Sequence, residues 1–317
     1  MDKDPYLRRQ GALLKNLRKG KKLTQEQLAN GICSTKQLGE IERGNAEPSP
    51  TILYKLLFVL GVDYEEFMPM LYGKDMRLFN QDFARIWDAG YDEDYQQMSV
   101  LLTALWKQPY CDKNIPVVNQ ALLLCKCVLL SNFDKNDEAA LPLLYDALRL
   151  TAPSIISGDN AINLKRVTTC IFSMNEYRIL KIIANILDDL GEGSKALELH
   201  KALITSLERE TTHYEIQKKL LPTIYFNVSN IWLNKDSYDN ALVFANQGLD
   251  FSIATKEFKV LGELFWNKGR AFHGMNEMEQ AALFFQKSYD TFAHRGEDST
   301  TTRLKRIAKE KYGIGIE

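Results

Sequence analysis

The side chains that most often perform catalysis or bind metals are scattered along this sequence. The four histidines, His200, His213, His273 and His294, lie far apart. Cys125 and Cys127 are two residues apart, which puts them on different faces of a helix and makes a poor metal pair. Cys111 and Cys170 add no recognisable spacing. We find no phosphate-binding glycine loop, HExxH motif or nucleophile elbow. The sequence therefore predicts a protein without catalytic residues, cofactor or metal site.

The composition is that of an ordinary soluble protein. Of 317 residues, 45% are apolar and 26% are charged. No apolar run approaches the ~18 residues that span a bilayer, and residues 1–10 lack the apolar stretch of a secretory signal. Five cysteines, an odd number scattered through a long chain, favour a reduced, cytoplasmic location over a disulfide framework. At about 150 residues per domain, the length predicts two domains.

The charges are unevenly distributed along the chain. The 40 basic and 41 acidic side chains give a net charge of −1, but residues 1–45 hold ten Lys and Arg against five Asp and Glu. A small basic head therefore precedes a larger acidic body. Charge alone fits a solvated helix end as well as a contact with nucleic acid.

The head, residues 1–70, contains five short segments of helical periodicity. We expect helices over residues 7–19, 25–30, 35–43, 51–60 and 64–67. Thr24 and Gln27 have the spacing of a capping box, and Ser34 is placed to cap the third helix. Gly44 and Gly61 are expected to end the third and fourth helices.

Polar side chains cluster around the third predicted helix. Near its N-terminus, the residues expected to point outward are Ser34, Thr35, Lys36, Gln37 and Glu40. Side chains of these types can hydrogen-bond to base edges in a DNA major groove. The candidates for phosphate contacts are Arg18, Lys21, Lys22, Arg43 and, through its amide and backbone N–H, Gln25. The alternative for each residue is a solvated side chain without a partner.

These segments carry a family resemblance over about 60 residues. The sequence LTQEQLA at 23–29, IERG at 41–44, Pro-Ser at 48–49 and LGV at 60–62 resemble the XRE (Cro/C1-type) helix-turn-helix domain. The resemblance implies five helices, with the third entering the major groove and the second lying across the DNA backbone. The turn before the third helix is shorter than the family's usual one. Cys33 occupies its tight position, where we expect a small buried apolar residue rather than a redox sensor.

The body, residues 81–317, has helical periodicity almost throughout and no strand signature. Two windows have the alternating aromatic and small residues of a tetratricopeptide (TPR) helix pair. They are Tyr225, Ser229, Trp232, Ala241 and Gly248, and then Phe265, Gly269, Phe272, Ala281 and Phe285. Small residues let two antiparallel helices approach, and the aromatic residues fill the space between successive pairs. Weaker windows are anchored by Ala184 and Ala196, by Ala140 and Ala147, and within residues 78–106.

The windows resemble degenerate TPR units, which implies a right-handed α-solenoid. Pro142 falls inside one expected helix and should kink it. Residues 298–312 are expected to form a closing helix. The predicted fold is therefore all-α, with a five-helix head followed by a TPR-like solenoid.

The first helix of each TPR pair lines the concave side of a solenoid. Asn185 and Asn230 occupy its ninth position, where an amide can both donate to and accept from a peptide backbone. The neighbouring candidates for peptide binding are Arg178, Lys181, Asn227, Asn234, Glu263, Trp266, Arg270 and His273. The alternative is that the asparagines only cap helices or bond across the stack.

A phage-type head followed by a degenerate TPR body resembles the peptide-pheromone-responsive regulators of Gram-positive bacteria, the PlcR/Rgg/PrgX-like group. The resemblance implies a head at 1–70, a linker at 71–80 and a peptide-binding, dimerising body at 81–317. It implies a cytoplasmic, homodimeric, quorum-sensing transcription regulator that binds a pseudo-palindromic DNA operator and a short signalling peptide, with no membrane partner. The alternative is an XRE-family repressor whose TPR body serves only dimerisation or protein–protein interaction.

Overall fold

The computed structural model describes residues 5–71, 74–158, 160–209 and 213–316. It divides into two compact units, Met1–Asp112 and Lys113–Glu317. The all-α prediction is confirmed, because helices form almost every regular element of these residues. None of the described helices is long and apolar enough to cross a membrane.

The first unit begins with the five helices expected from the sequence. Its helices are α1 (Pro5–Gly20), α2 (Gln25–Ala29), α3 (Thr35–Glu42), α4 (Pro50–Leu60), α5 (Tyr64–Leu71), α6 (Lys74–Tyr91) and α7 (Tyr95–Trp106). The last two pack against each other as a hairpin and belong to this unit. The unit therefore extends beyond the linker predicted at 71–80. Most of that stretch lies in α6, and residues 72–73 fall outside the described residues.

The helix ends in the head follow the capping chemistry of the sequence. The Thr24 hydroxyl accepts from the Gln27 backbone at 3.1 Å, and the Gln27 side chain accepts from the Thr24 N–H at 2.7 Å. Ser34 caps α3. Gly44 follows α3 at φ +67°, and a Cβ there would stand 2.6 Å from the Arg8 Cα. Glycine is required at this turn because α1 packs directly against it.

A buried ion pair joins α1 to α3. Nε and Nη2 of Arg18 each donate to one oxygen of the Glu42 carboxylate, at 2.6 and 2.8 Å. The third Arg18 contact is with the Leu23 carbonyl at 2.8 Å, and Gln25 also donates to Glu42 at 2.8 Å. Burial opposes ionisation of Glu42, but the Arg18 and Gln25 hydrogen bonds and the Arg18 charge outweigh it and lower its pKa.

This arrangement corrects the role expected of Arg18. Only 8% of the residue is exposed, so it does not lie on the surface that DNA phosphates could reach. Sequence patterning suggested a surface cation, because Arg18 lies in a run of basic residues near the end of α1. Its partner Glu42 is 24 residues away along the chain and could not be paired with it from spacing alone.

The second unit is a series of helical hairpins. Its helices are α8 (Pro116–Asn132), α9 (Asp137–Thr151), α10 (Leu164–Thr169), α11 (Met174–Asp189), α12 (Gly193–Leu207), α13 (Tyr214–Asn234), α14 (Tyr238–Thr255), α15 (Leu261–Gly274), α16 (Met278–His294) and α17 (Asp298–Tyr312). Two short strands that the sequence did not predict, β1 (Ile156–Ser157) and β2 (Ala161–Ile162), form an antiparallel hairpin with Ile156 opposite Ile162. The predicted closing helix at 298–312 is confirmed as α17.

The hairpins pair α8 with α9, α11 with α12, α13 with α14, and α15 with α16. Successive first helices, α8, α11, α13 and α15, also pack against one another. Second helices of adjacent hairpins make at most weak contact. The row of first helices is therefore the tighter side of the stack, which puts those helices on the concave face of a solenoid.

The two strongest TPR windows are confirmed by the packing. A Cβ on Gly269 would stand 2.5 Å from the Phe285 ring, and one on Gly248 would stand 2.8 Å from the Leu264 side chain. The hydroxyl of Ser229 donates to the Ala241 carbonyl at 2.9 Å. Pro142 lies inside α9, and the helix continues past it.

The Arg18–Glu42 pair gives a prediction about the stability of the head. In Glu42→Ala, Arg18 keeps its burial but loses its carboxylate, so we expect a loss of about 3–5 kcal/mol in local stability. Hydrogen exchange of the full-length chain, read by mass spectrometry over α1–α3, measures it. The double variant Arg18→Met/Glu42→Leu removes both charges and should recover most of the loss. Equal exchange in Glu42→Ala and the wild type would contradict this account.

One histidine lies in the interior of the second unit without a partner. His200 on α12 is fully buried, and neither ring nitrogen has a hydrogen-bond partner. Burial, followed by the nearby charge of Lys181, lowers the His200 pKa to about 3. The neutral ring is therefore the folded form, and protonation must oppose folding.

This histidine predicts acid sensitivity. The folded-state pKa of His200 lies below its unfolded value of about 6.5. The neutral ring therefore contributes fully to the free energy of unfolding above about pH 6.5, and this contribution is lost as the pH falls toward 3. Between pH 7 and pH 5 the wild type should lose about 2 kcal/mol more than His200→Leu. Chemical unfolding followed by circular dichroism measures the difference. The exposed His294→Leu is the control, and identical pH dependence of His200→Leu and the wild type would disprove the effect.

Candidate functional site

The N-terminal half of α3 presents a polar surface to solvent. Leu38 and Ile41 are buried in the core of the head. Because these two residues face inward, the first turn of the helix faces outward. The exposed side chains of this turn are Ser34, Thr35, Lys36 and Gln37. The predicted base-reading residues of this turn therefore share one accessible face.

Two further residues predicted at this surface are paired with each other. Glu40 accepts from Asn45 at 2.7 Å and from the Arg43 guanidinium. These two hydrogen bonds lower the Glu40 pKa, and the bond from Asn45 has the larger effect. Contact of either Glu40 or Arg43 with DNA would have to compete with, or share, this local pair.

The other phosphate candidates lie around α2. Lys21 and Lys22 are exposed in the turn after α1, and Lys22 has a positive φ of 58°. Gln25 begins α2, but its side-chain amide donates to Glu42. The Gln25 side-chain amide, which was expected to contact a phosphate, is therefore already hydrogen-bonded within the head. Both lysines remain accessible.

The ten residues predicted for peptide binding all lie on α11, α13 and α15, three successive first helices of the second unit. Several join adjacent helices. The Asn227 side chain donates to Oδ1 of Asn185 at 2.7 Å. Arg270 donates to Oδ1 of Asn230 at 2.9 Å and to Oδ1 of Asn234 at 3.5 Å. The side-chain oxygens of Asn185, Asn230 and Asn234 thus form hydrogen bonds across the stack, which is the alternative to peptide binding that the sequence left open.

Two adjacent clefts open on this row of helices. The smaller, about 170 Å³, is lined by Asn185, Asp188, Asp189, His200, Asn227, Asn230 and Ile231. The larger, about 310 Å³, is lined by Phe226, Asn230, Glu263, Trp266, Asn267, Arg270, Phe292, Thr300, Arg303, Leu304 and Ile307. Asn230 contributes to both, so the two clefts meet at its side chain.

Four predicted residues lie outside the lining of both clefts. Arg178 donates to Asn175 at 3.1 Å, and the His273 ring packs edge-on against Tyr312 at 5.0 Å. Asn234 is exposed, and Lys181 is half-buried. Burial, then the charges of Arg178 and Lys259, lowers the Lys181 pKa to about 8. The helical period correctly grouped these residues on three helices but did not determine which of them face a cleft.

Other lining residues were not predicted from the sequence. Asp188 and Asp189 end α11, and burial raises the pKa of both carboxyls. Asn267 lies on α15 between the predicted Trp266 and Arg270. Thr300, Arg303, Leu304 and Ile307 come from α17, which was expected only to cap the stack. The two carboxylates at the end of α11 could have been noticed in the sequence. The contribution of α17 to the cleft lining could not, because it depends on how α17 packs.

A third cavity, about 390 Å³, shares no lining residue with these two clefts. It is lined by Leu141, Pro142, Tyr145, Asn160, Ala161, Ile162, Leu164, Leu187, Glu192, Lys195, Glu198 and Leu199. Most of these belong to the second helices α9 and α12 and to the β-hairpin region. Among the residues that the structure describes, no group of three or more His, Cys, Asp or Glu side chains could hold a metal ion.

Family models match two parts of the chain. Residues 14–67 match a helix-turn-helix model, and residues 145–298 match the RNPP family C-terminal domain. A search of curated proteins finds no match.

Solved structures match almost the whole chain. PlcR of Bacillus thuringiensis in complex with the peptide PapR7 and DNA is 19% identical, with a TM-score of 0.73 over 94% of this chain and 99% of that one. The Streptococcus dysgalactiae SHP pheromone receptor Rgg2 is 17% identical, with a TM-score of 0.60 over 95% and 99%. At these identities the likeness concerns the fold. The matches therefore show a helix-turn-helix domain over residues 14–67 and an RNPP family C-terminal domain over residues 145–298, in a chain that shares its fold with these structures.

Proposed function

We propose that this protein is a transcription regulator whose binding to a DNA operator is controlled by a short signalling peptide. The observation that carries the proposal is the row of asparagine and arginine side chains on α11, α13 and α15, with two clefts that meet at Asn230. We expect the protein to act as a homodimer, and the operator to be pseudo-palindromic.

The DNA-binding part is supported by the accessible turn of α3. Thr35, Lys36 and Gln37 are exposed, while the core residues behind them hold the helix in one rotation. Lysine and glutamine can donate to purine edges in the major groove. The exposed Lys21 and Lys22 supply positive charge for phosphates, which would strengthen binding at low salt.

The peptide-binding part is supported by the chemistry of the clefts. The side-chain oxygen of Asn230 accepts from Arg270. The side-chain N–H groups of Asn230 form no hydrogen bond with any residue that the structure describes. An amide with spare donors can bind the carbonyl groups of an extended peptide without reading its side chains. Apolar walls beside it, such as Trp266 and Phe292, would read side chains.

The similar structures support both parts. PlcR was solved with the peptide PapR7 and DNA, and ComR of S. thermophilus, 16% identical with a TM-score of 0.51 over 93% of this chain and 97% of that one, with DNA and its signalling peptide ComS. We expect the present chain to bind the same two classes of ligand, DNA and a short signalling peptide.

The proposed mechanism is a population shift. A peptide that binds one arrangement of the solenoid better than another favours that arrangement. In a dimer, this would change the spacing of the two heads, and operator binding depends on that spacing. The rival is a repressor whose body only dimerises or binds a protein. A peptide-dependent change in operator affinity distinguishes the two.

The α3 surface gives a prediction for DNA binding. Lys36→Ala/Gln37→Ala should weaken binding to a duplex selected by the wild type from a random pool by at least about tenfold, because each lost base contact is worth about 1–3 kcal/mol. Fluorescence anisotropy at physiological salt measures the affinity. Lys55→Ala removes an exposed lysine of α4 and is the control for charge. Unchanged affinity with an unchanged helical spectrum would refute the assignment.

Asn230 gives a prediction for peptide binding. Asn230→Ala removes donors from both clefts and releases Arg270, so retention of peptides from a random heptapeptide pool should fall at least about tenfold. Size exclusion followed by mass spectrometry of the protein fraction measures retention. Asn246→Ala, on the exposed side of α14, is the matched control. Equal retention by Asn230→Ala and the wild type would remove Asn230 from the site.

A further inference from the structure

The cleft lined by α13, α15 and α17 contains two buried oxygen atoms without a donor. They are Oε2 of Glu263 and Oδ1 of Asn267, and neither has a hydrogen-bond partner. Both residues line the same cavity of about 310 Å³. Buried acceptors without donors are costly, so two of them on residues that line one cavity point to a ligand that supplies donors.

The orientation of the Asn267 amide is fixed by its other contact. Its nitrogen donates to the Phe226 carbonyl at 3.3 Å, and a carbonyl oxygen can only accept. Because the residue is 1% exposed, the remaining Oδ1 atom cannot be satisfied by bulk water. Asn267 therefore carries an acceptor of fixed orientation and lines the same cleft as Glu263.

Two arginines in or beside this cleft donate to other groups. Arg270 donates to Asn230 and Asn234, and Arg295 donates to the Phe258 carbonyl. Arg303 is exposed on α17. Burial raises the Glu263 pKa, and the hydrogen bond from its own backbone and the charges of Arg295 and Lys259 offset this only in part. A bound cation would therefore restore a favourable environment for the carboxylate.

Part of the cleft wall is apolar and aromatic. Trp266 packs at 4.4 Å from Phe285 and edge-on to Tyr312, so its ring is held in place. Phe226, Phe292, Leu304 and Ile307 add to the apolar lining, and the remaining polar lining is Asn230, Arg270, Thr300 and Arg303. A group that fits this cleft has N–H donors at its tip and apolar atoms behind them.

We propose that this cleft binds a cationic group of the signalling peptide, whose N–H donors reach Glu263 and Asn267 while its apolar atoms pack on Trp266. This inference rests on the proposed function and specifies the ligand chemistry of the same site. The group can be the peptide's amino terminus or a lysine or arginine side chain, since all present N–H donors and positive charge.

Four pools of random heptapeptides test the inference. They have a free or an acetylated amino terminus, each with or without Lys and Arg, and His is omitted from all. The full-length protein is incubated with each pool, and retained peptides are quantified by mass spectrometry after size exclusion. The wild type should retain at least about tenfold less of the acetylated pool without Lys and Arg than of the best cationic pool. The two pools with one source of cation show which group is used.

Two variants separate charge from shape. Glu263→Gln keeps the size of the side chain but removes its charge, so the preference for cationic pools should disappear. A neutral donor bound to a protonated Glu263 would instead be retained by both proteins without that preference. Asn267→Asp adds a carboxylate and should increase the preference. Glu279→Gln, which removes an exposed carboxylate of α16, is the control and should behave like the wild type.

The outcomes distinguish this inference from the proposed function. Retention of all four pools alike by the wild type overturns the cation site and leaves peptide binding intact. A preference that persists in Glu263→Gln also overturns it. Retention of no pool by the wild type overturns both the cation site and the proposed peptide control.

Discussion

The solenoid depends on close approach between the two helices of each hairpin. Where Gly269 stands, even a methyl group would collide with Phe285 on the partner helix, and at Gly248 it would crowd Tyr225 on the partner helix and Leu264 of the next hairpin. At Ser229 the contact is close enough for a hydroxyl to reach a carbonyl on the partner helix. Tight hairpins leave each first helix free to pack on the next hairpin, and this row of first helices creates the polar face and its clefts. Small residues that do not themselves line a cleft thus determine that a cleft exists.

The head depends on a comparable constraint of a different kind. Glu42 accepts from Arg18 on α1 and from Gln25 on α2, so one buried carboxylate joins three helices. Loss of Arg18 would leave an unpaired carboxylate in a low-dielectric interior, and loss of Gln25 would remove one of its hydrogen bonds. These bonds therefore hold α3 in one rotation relative to α1 and α2. The exposed first turn of α3 follows from that rotation. Specific reading of base edges requires side chains on such a rigid element.

Local chemistry made the helices of both units predictable, because caps and periodicity act within a few residues. Thr24 with Gln27, Ser34 and Gly44 all mark real helix ends. The sequence was less informative wherever a partner is remote. Arg18 looked like a surface cation because nothing nearby revealed Glu42. The two-residue strands at 156–162 are too short to produce a periodic signal.

Long-range packing also limits what could be said about the clefts. Helical spacing grouped the asparagines on successive first helices, but an amide side chain gives no sign of whether it faces a ligand or a neighbour. In the structure Asn185 and Asn230 already accept from the next helix in the stack. Likewise, the role of Asn267 becomes visible only when its nitrogen is seen to donate to Phe226.

These bonds across the stack matter for regulation under the proposed function. A ligand shifts a conformational equilibrium only by the difference in its affinity for the two states. A peptide bound at Asn230 would contact a side chain that connects α13 to α15 through Arg270. Its binding energy therefore depends on the separation of those two helices. A ligand that contacted one helix alone would bind every arrangement of the solenoid equally and could regulate nothing.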